Sequence, residues 1–104
     1  MFARNLSFRL KPNTLSDYSR TIESQILPLL QKQKGFKEEI TLCNSNSVDG
    51  VSISLWETKS DADNYNTNVY PQVMKTLEKV MDGTPHLHTF ETVTSTYNKV
   101  PVTV

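Results

Sequence analysis

The residues of this sequence that could carry acid–base chemistry include two histidines, His86 and His88, separated by one residue. At this spacing in a β-strand, both side chains point to the same side of the sheet, so the imidazoles would lie close together. Either ring could act as a general base near neutral pH. The alternative is that they mark a strand beginning near the surface. A metal site would need more ligands, and no further Glu or His at metal-binding spacing supplies them, so we predict no metal.

Arg4 is the charged residue with the most unusual sequence context. It alternates with Phe2, Leu6 and Phe8, which places a permanently charged guanidinium on the apolar face of a predicted strand. Such a group must find an anion, a carbonyl or water. We therefore treat Arg4 and Phe8 as candidate substrate-binding residues, with Arg4 orienting an anionic or quinone-like ligand. The other interpretation is a strand-end arginine that reaches solvent or pairs with a glutamate.

Three tyrosines lie at helical spacings that could face the sheet, where their hydroxyls could bind a phenolic or ketonic substrate. We predict Tyr65 as a catalytic residue and Tyr18 and Tyr70 as substrate-binding residues, with Met74 as a flexible lining side chain. The alternative is that all four simply pack in the core. Cys43 has no sequence cue for a lowered thiol pKa, and we predict it to be a buried, small apolar residue.

The elements that must position these residues follow the order β-α-β-β-α-β. Alternating apolar residues predict strands at 2–10, 37–44, 51–55 and 86–97, and helical spacing predicts helices over about 15–34 and 61–81. The clearest signal is the change of hydrophobic period from two to helical within 52–65. Pro28 and Pro71 should loosen or break the helices, and Asp49-Gly50 should form a turn. This order predicts an α+β, ferredoxin-like fold: a four-stranded antiparallel sheet with two helices on one face.

Length and composition restrict the class of protein. The 104 residues, with 11 basic and 11 acidic side chains, predict a single domain over 1–104 and give no reason to expect nucleic acid or an anionic membrane as a partner. There is one cysteine, no run of about 20 apolar residues and no secretory signal pattern. We therefore expect a cytoplasmic protein that binds a small molecule.

Three segments carry a resemblance to a known family. They are Arg-Leu-Lys-Pro at 9–12, Ile-Leu-Pro-Leu-Leu-Gln-Lys-Gln-Lys-Gly-Phe at 26–36, and Leu-Trp-Glu-Thr-Lys-Ser-Asp-Ala-Asp-Asn-Tyr at 55–65. Together with the element order over 2–97, they make the chain similar to the antibiotic-biosynthesis-monooxygenase-like family of the dimeric α/β-barrel superfamily. The resemblance implies a homodimer with facing sheets, and small-molecule pockets between each sheet and its own helices.

Haem-degrading members of that family use an asparagine on strand one, a tryptophan on the second helix and a histidine ten residues later. Aligned on the strand-three tryptophan, this chain has Tyr65 at the helix tryptophan and Lys75 at the histidine. A protonated lysine is a poor iron ligand, and Asn5 alternates with the apolar residues of its strand instead of sharing their face. Haem degradation is therefore disfavoured, and we predict no cofactor.

The function implied by the resemblance is oxidation of a small aromatic or polycyclic molecule by a cofactor-independent monooxygenase. A histidine or tyrosine would assist deprotonation, and the substrate anion would itself react with oxygen. The alternative is a non-catalytic, small-molecule-binding or stress-related protein with the same fold. We also expect the sheet face away from the helices, with Ala3, Thr41, Cys43 and Trp56, to bind a second copy. A half-solvated monomer is the other option.

Overall fold

The computed structural model describes residues 1–96, which form a four-stranded antiparallel sheet with helices on one face. The strands are β1 (Phe2–Arg9), β2 (Phe36–Cys43), β3 (Asp49–Trp56) and β4 (His86–Glu91), in the spatial order β2-β3-β1-β4. The helices are α1 (Leu15–Thr21), α2 (Leu27–Gln31), α3 (Lys59–Asn68) and α4 (Tyr70–Leu77). The predicted α+β, ferredoxin-like fold is confirmed. β4 ends earlier than expected, at Glu91, and Tyr97 lies outside the described residues.

Strand pairing gives the sheet an inner face, which the helices cover, and an outer face. Arg4 pairs with Ser54 of β3 and with Thr89 of β4, and paired residues project to the same side. The inner face carries Phe2, Arg4, Leu6, Phe8, Phe36, Glu39, Thr41, Cys43, Ser52, Ser54 and Trp56. The outer face carries Ala3, Asn5, Ser7, Ile40, Leu42, Val51, Ile53, Leu55, His86, His88 and Phe90.

The predicted composition of the outer face is wrong for three of its four residues. In β2, Phe36 pairs with Trp56 but Glu38 pairs with Leu55, so a bulge changes which residues alternate towards the helices. Thr41 and Cys43 consequently lie on the inner face, and only Ala3 lies on the outer one. Cys43 is also exposed, contrary to our expectation, because it ends its strand.

Trp56 belongs to the core and not to a dimer surface. Its side chain is fully buried, and its ring lies 4.9 Å from the Tyr65 ring and 5.5 Å from the Phe36 ring. Its Nε1 donates to Ser54 Oγ at 3.0 Å. The indole thus has a partner for its polar atom and aromatic neighbours on the helix side, which explains why it packs inwards.

The helices are interrupted where the prolines predict. Pro28 has no N–H for the carbonyl of Ser24, and the preceding segment, Ile22–Ile26, widens into a π-helical turn that joins α1 to α2. Pro71 lies at the start of α4, and the chain changes direction at Val69, between α3 and α4. The first helical segment ends at Gln31 with Lys32 as its C-cap, earlier than the predicted end at residue 34, and Gly35, at φ 81°, lies in the turn that leads into β2.

The turn between β2 and β3 lies earlier than Asp49-Gly50. It spans Asn44 to Val48, with Ser47 at φ 59°, and Asp49 already begins β3. Gly50 is required inside the strand for another reason: a Cβ there would lie 2.5 Å from Cζ of Phe8, whose ring covers this position. Among residues 1–96, no helix is long and apolar enough to span a membrane.

Candidate functional site

A small cavity lies between the inner face and the helices, at the level of Arg4. It measures about 40 Å³ and is closed by polar and aromatic side chains together. Its walls include Arg4, Glu39, Ser52 and Ser54 from the sheet and Tyr18, Ile22, Tyr65, Tyr70 and Met74 from the helices. We call it the central cavity. Its volume suits a water molecule, so a larger ligand requires side chains to move.

A second, open cavity adjoins the central cavity at the edge strand β2. This side groove measures about 300 Å³ and lies between β2 and the helical segment formed by α1 and the π-helical turn. Both cavities are lined by Tyr18, Ile22 and Glu39. These three side chains therefore separate the central cavity from a groove whose size is close to that of small-molecule sites.

Arg4 is the most unusual side chain of the central cavity because it is buried without an acidic partner. It is 5% exposed, and within residues 1–96 no carboxylate forms an ion pair with it. Its Nη2 donates to Oδ1 of Asn66 at 2.9 Å, and Cζ lies 4.9 Å from the Tyr65 ring centroid and 4.6 Å from that of Tyr70. Burial lowers the pKa of this guanidinium. Cation–π contacts and a neutral amide thus hold a desolvated positive charge.

The tyrosines of the cavity are stabilised in their neutral form. Burial raises the pKa of Tyr65 to about 12, with the charge of Arg4 acting in the opposite direction. Burial also raises the pKa of Tyr18 and of Tyr70. All three hydroxyls therefore stay protonated near neutral pH, and they suit hydrogen bonding to a ligand better than proton abstraction.

Glu39 is the one carboxylate among the described residues that line the central cavity. It is partly buried, and its Oε1 accepts hydrogen bonds from the hydroxyls of Thr41 and Ser52. Its charge contributes to the raised pKa of both Tyr18 and Tyr65. The cavity therefore combines a buried cation with a carboxylate that hydroxyl groups hold in place.

The fold was compared with proteins of known structure. No protein-family model and no curated protein matches the sequence. A candidate antibiotic biosynthesis monooxygenase from Bordetella bronchiseptica superposes with a TM-score of 0.75 at 16% identity, over 89% of this chain and 97% of that chain. The chain has the fold of the antibiotic-biosynthesis-monooxygenase-like proteins. The resemblance inferred from the sequence is thereby confirmed at the level of the fold.

Two further structures with this monooxygenase-like fold have described activities. SnoaB, a cofactor-independent oxygenase from Streptomyces nogalater, has a TM-score of 0.75 at 11% identity, over 93% of this chain and 97% of that chain. A monooxygenase from the gene ActVA-Orf6 of Streptomyces coelicolor, in complex with the ligand Nanaomycin D, has a TM-score of 0.76 at 12% identity, over 90% and 88% respectively. At such identities the likeness carries the fold and not the reaction.

Within this monooxygenase-like fold, four of the five predicted ligand-binding residues lie together with Tyr65, the tyrosine predicted as catalytic. Arg4, Tyr18, Tyr65, Tyr70 and Met74 all line the central cavity. Phe8 is separate from them: its ring packs in the core 5.0 Å from that of Tyr18, beyond the cavity wall. The proposal of Arg4 as a strand-end residue that reaches solvent does not describe this buried side chain.

The two histidines proposed as general bases lie apart from Arg4 and the central cavity in a single chain. In the pairing of β1 with β4, His88 lies opposite Asn5 and His86 opposite Ser7, which places both imidazoles on the outer face. Both are exposed. His86 does line an open groove of about 860 Å³ at the end of the sheet, near Asp49 and Asp82. Neither ring reaches the central cavity of the same chain, because the sheet lies between them.

Two residues of the site were missed by sequence reasoning. Glu39 was assigned to β2 without a role, because the bulge that decides its direction has no clear sequence signal. Asn66 is exposed on α3 and gains its role only by bonding Arg4, 62 residues away. For Asn66, the one available signal is its position next to Tyr65.

The structure of the described residues also bears on the alternative ligands. No group of three or more His, Cys, Asp or Glu side chains within residues 1–96 is placed to hold a metal ion. At the positions that the resemblance associates with haem, Lys75 is exposed on α4 and Asn5 lies on the outer face. These residues do not form a haem-binding set around the central cavity.

Proposed function

We propose that this protein binds an electron-rich aromatic molecule in the central cavity and oxidises it with dioxygen, as a cofactor-independent monooxygenase. The observation that carries the proposal is Arg4: a buried guanidinium, without a carboxylate partner in the described residues, inside an aromatic cavity. The fold is shared with a cofactor-independent oxygenase and with a monooxygenase in complex with an organic ligand. Both features support the proposal.

In the proposed oxidation, the protein would have to stabilise a substrate anion. An anthrone-type substrate would lose a proton from its ring methylene to solvent water, and the negative charge would spread to the carbonyl oxygen. Arg4 would hold that oxygen with charge-assisted hydrogen bonds. The carbanion would reduce dioxygen; one oxygen atom would become the new ketone, and the other would leave as water with the two methylene hydrogens. Tyr65 and Tyr70 would orient the ring as hydrogen-bonding partners.

A substrate of this size needs more room than the central cavity offers. The side chains between the cavity and its surroundings include Met74 and Tyr70, both only partly buried. Methionine is flexible enough to repack around different ligands. We propose that binding displaces Met74, which enlarges the cavity, and Ile22, which separates the cavity from the side groove. The ring then extends into the groove, whose volume of about 300 Å³ suits an aromatic compound.

The experiment that tests the proposal is oxygen uptake with anthrone and hydroxyanthrones, with quinone formation followed by absorbance. We expect the wild-type protein to accelerate oxidation over buffer and Arg4→Gln to lose about 100-fold of that rate, the usual cost of one oxyanion donor. Arg9→Gln is the matched control, because Arg9 lies on the same strand with an exposed side chain. A wild-type rate equal to buffer for every substrate would overturn the proposal, provided that circular dichroism shows folded protein.

A second candidate function is non-catalytic binding of a small molecule. The small volume of the central cavity and the placement of both histidines on the outer face favour it, because no imidazole reaches the ligand in a single chain. Proteins of unknown function share the fold as well. Binding of a hydroxyanthrone without oxygen uptake would support this candidate over the first.

We also propose that the protein is a cytoplasmic homodimer formed through the outer face. Three large apolar side chains are half exposed there: Ile40 at 50%, Leu42 at 50% and Phe90 at 54%. Val51, Ile53 and Leu55 extend the same apolar surface on β3. A second copy with the same face would cover this surface by two-fold symmetry. The single cysteine supports a reducing compartment such as the cytoplasm.

A further inference from the structure

The sheet places opposite charges at two ends of the central cavity. Ser54 of β3 pairs with Arg4 on one side and with Glu39 on the other, so the three residues form a row across the inner face. Two strand spacings separate the backbones of Arg4 and Glu39, or about 10 Å. No ion pair joins the two side chains within the described structure. A ligand between them would therefore meet a cation at one end and a carboxylate at the other.

At the carboxylate end of the central cavity, neighbouring hydroxyl groups fix the orientation of the Glu39 side chain. Oε1 of Glu39 accepts hydrogen bonds from Thr41 and Ser52, on its own strand and on β3. The Tyr18 hydroxyl lies at the same end, next to Thr41. Because the described residues give Oε2 no hydrogen-bond donor, this oxygen is left for a donor on the ligand.

Glu39 also lies between the open side groove and the central cavity that contains Arg4. It lines both the side groove and the central cavity, together with Tyr18 and Ile22. Ile22 begins the π-helical turn, a deformation that is frequent at functional sites. A ligand that enters through the groove would pass Glu39 before it reaches Arg4.

We propose that the ligand is a planar aromatic compound with an anionic or carbonyl oxygen at one end and a hydroxyl group at the other. The oxygen binds Arg4, and the hydroxyl donates to Glu39, with apolar and aromatic side chains along the ring. This inference rests on the proposed site and narrows its substrate class to hydroxylated aromatic acids or ketones.

The test is calorimetric binding of para-hydroxybenzoate, benzoate and phenol, which needs no turnover. We expect wild-type protein to bind para-hydroxybenzoate about ten-fold more tightly than benzoate and than phenol, the effect of one charge-assisted hydrogen bond. In Glu39→Gln, the preference for para-hydroxybenzoate over benzoate should fall to about three-fold or less. A neutral amide oxygen accepts the ligand's hydroxyl proton in a weaker hydrogen bond than a carboxylate does, and the amide also repels the anionic ligand less. Glu38→Gln is the matched control, since Glu38 is exposed and pairs with Leu55 on the other face.

The outcomes separate this inference from the proposed oxidation. Equal wild-type binding of para-hydroxybenzoate and benzoate, absence of binding, or an unchanged preference in folded Glu39→Gln would each overturn the two-ended ligand. Because the wild-type comparison alone can overturn it, the test does not depend on the variant folding. The expected binding pattern without oxygen uptake for any hydroxyanthrone would support the ligand class and overturn only the oxidation.

Discussion

At the scale of single residues, the site depends on how a charge and three hydroxyls are buried together. Burial removes water from Arg4, and its guanidinium instead contacts one amide oxygen and the faces of two tyrosine rings. Cation–π contacts are strongest where both partners are desolvated, which is the case here. The arrangement also keeps Tyr65 neutral, because the low-polarity surroundings that lower the pKa of Arg4 raise that of the phenol.

The raised pKa of Tyr65 predicts a loss of stability in alkaline solution. The unfolded chain releases this proton near pH 10 and the folded chain near pH 12, so the free energy of unfolding is constant below pH 10 for this group and falls as the pH rises from 10 to 12. The full loss would be about 3 kcal/mol. Urea unfolding between pH 8 and pH 11 should show this decline, and Tyr65→Phe should show less of it.

The control for this prediction is Thr67→Ala, which removes an exposed, non-titrating hydroxyl from the same helix and should leave the alkaline decline unchanged. Because Tyr18 and Tyr70 also have raised pKa values, part of the decline should survive in Tyr65→Phe. An identical decline in wild type and Tyr65→Phe would contradict the assignment.

At the scale of elements, α3 matters most because it carries Tyr65 and Asn66, the two residues that contact Arg4 from that helix. Its start is fixed by Thr58, whose Oγ1 accepts from the backbone N–H of Asp61 at 3.1 Å. Gly35 packs against the same turn, since a Cβ there would lie 2.1 Å from Oδ2 of Asp61. The cap therefore fixes the residue at which the helix begins.

Loss of this cap should lower the free energy of unfolding of the protein. Thr58→Ala removes the acceptor for the Asp61 N–H, and we expect the free energy of unfolding to fall by about 1 kcal/mol. Thr67→Ala, at an exposed position within the same helix, should change it by less than about 0.5 kcal/mol. Urea unfolding followed by circular dichroism measures both. An equal loss of unfolding free energy in Thr58→Ala and Thr67→Ala would contradict a stabilising role for the cap.

At the scale of the whole molecule, the one-sided helix layer leaves an apolar sheet face without cover in a single chain. Ile40, Leu42 and Phe90 are far more exposed than core residues such as Leu10, which is completely buried. Covering such side chains would stabilise an assembly by about 25 cal/mol for each Å² removed from water. A dimer through this face would also bury His86 and His88, the two histidines that do not reach the central cavity.

The dimer proposal predicts a specific change in solution mass. Leu42→Glu places a charge on the outer face at the edge strand β2, and we expect the dimer dissociation constant to rise by at least about ten-fold, since an unpaired charge would be buried. Sedimentation equilibrium measures it. Val93→Glu is the control, because Val93 is 70% exposed and lies beyond the end of β4. A wild-type protein that is monomeric at all concentrations would refute the proposal.

The sequence by itself determined the order of elements and the identity of most cavity residues. Hydrophobic period and the helix breaks at Pro28 and Pro71 are local properties, so neighbouring residues suffice to predict them. Arg4 could also be selected from sequence alone, because a charge that alternates with Phe2 and Leu6 has to lie on an apolar face.

The tertiary structure decided which residues meet and on which side of the sheet. The bulge at the start of β2 turned Glu39 inwards, and the register of β4 against β1 sent both histidines outwards. A shift of one residue in register moves every side chain of a strand to the opposite face, so such choices depend on the pairing of distant strands. Asn66 reached Arg4 only because α3 packs over β1, a contact that no local pattern encodes.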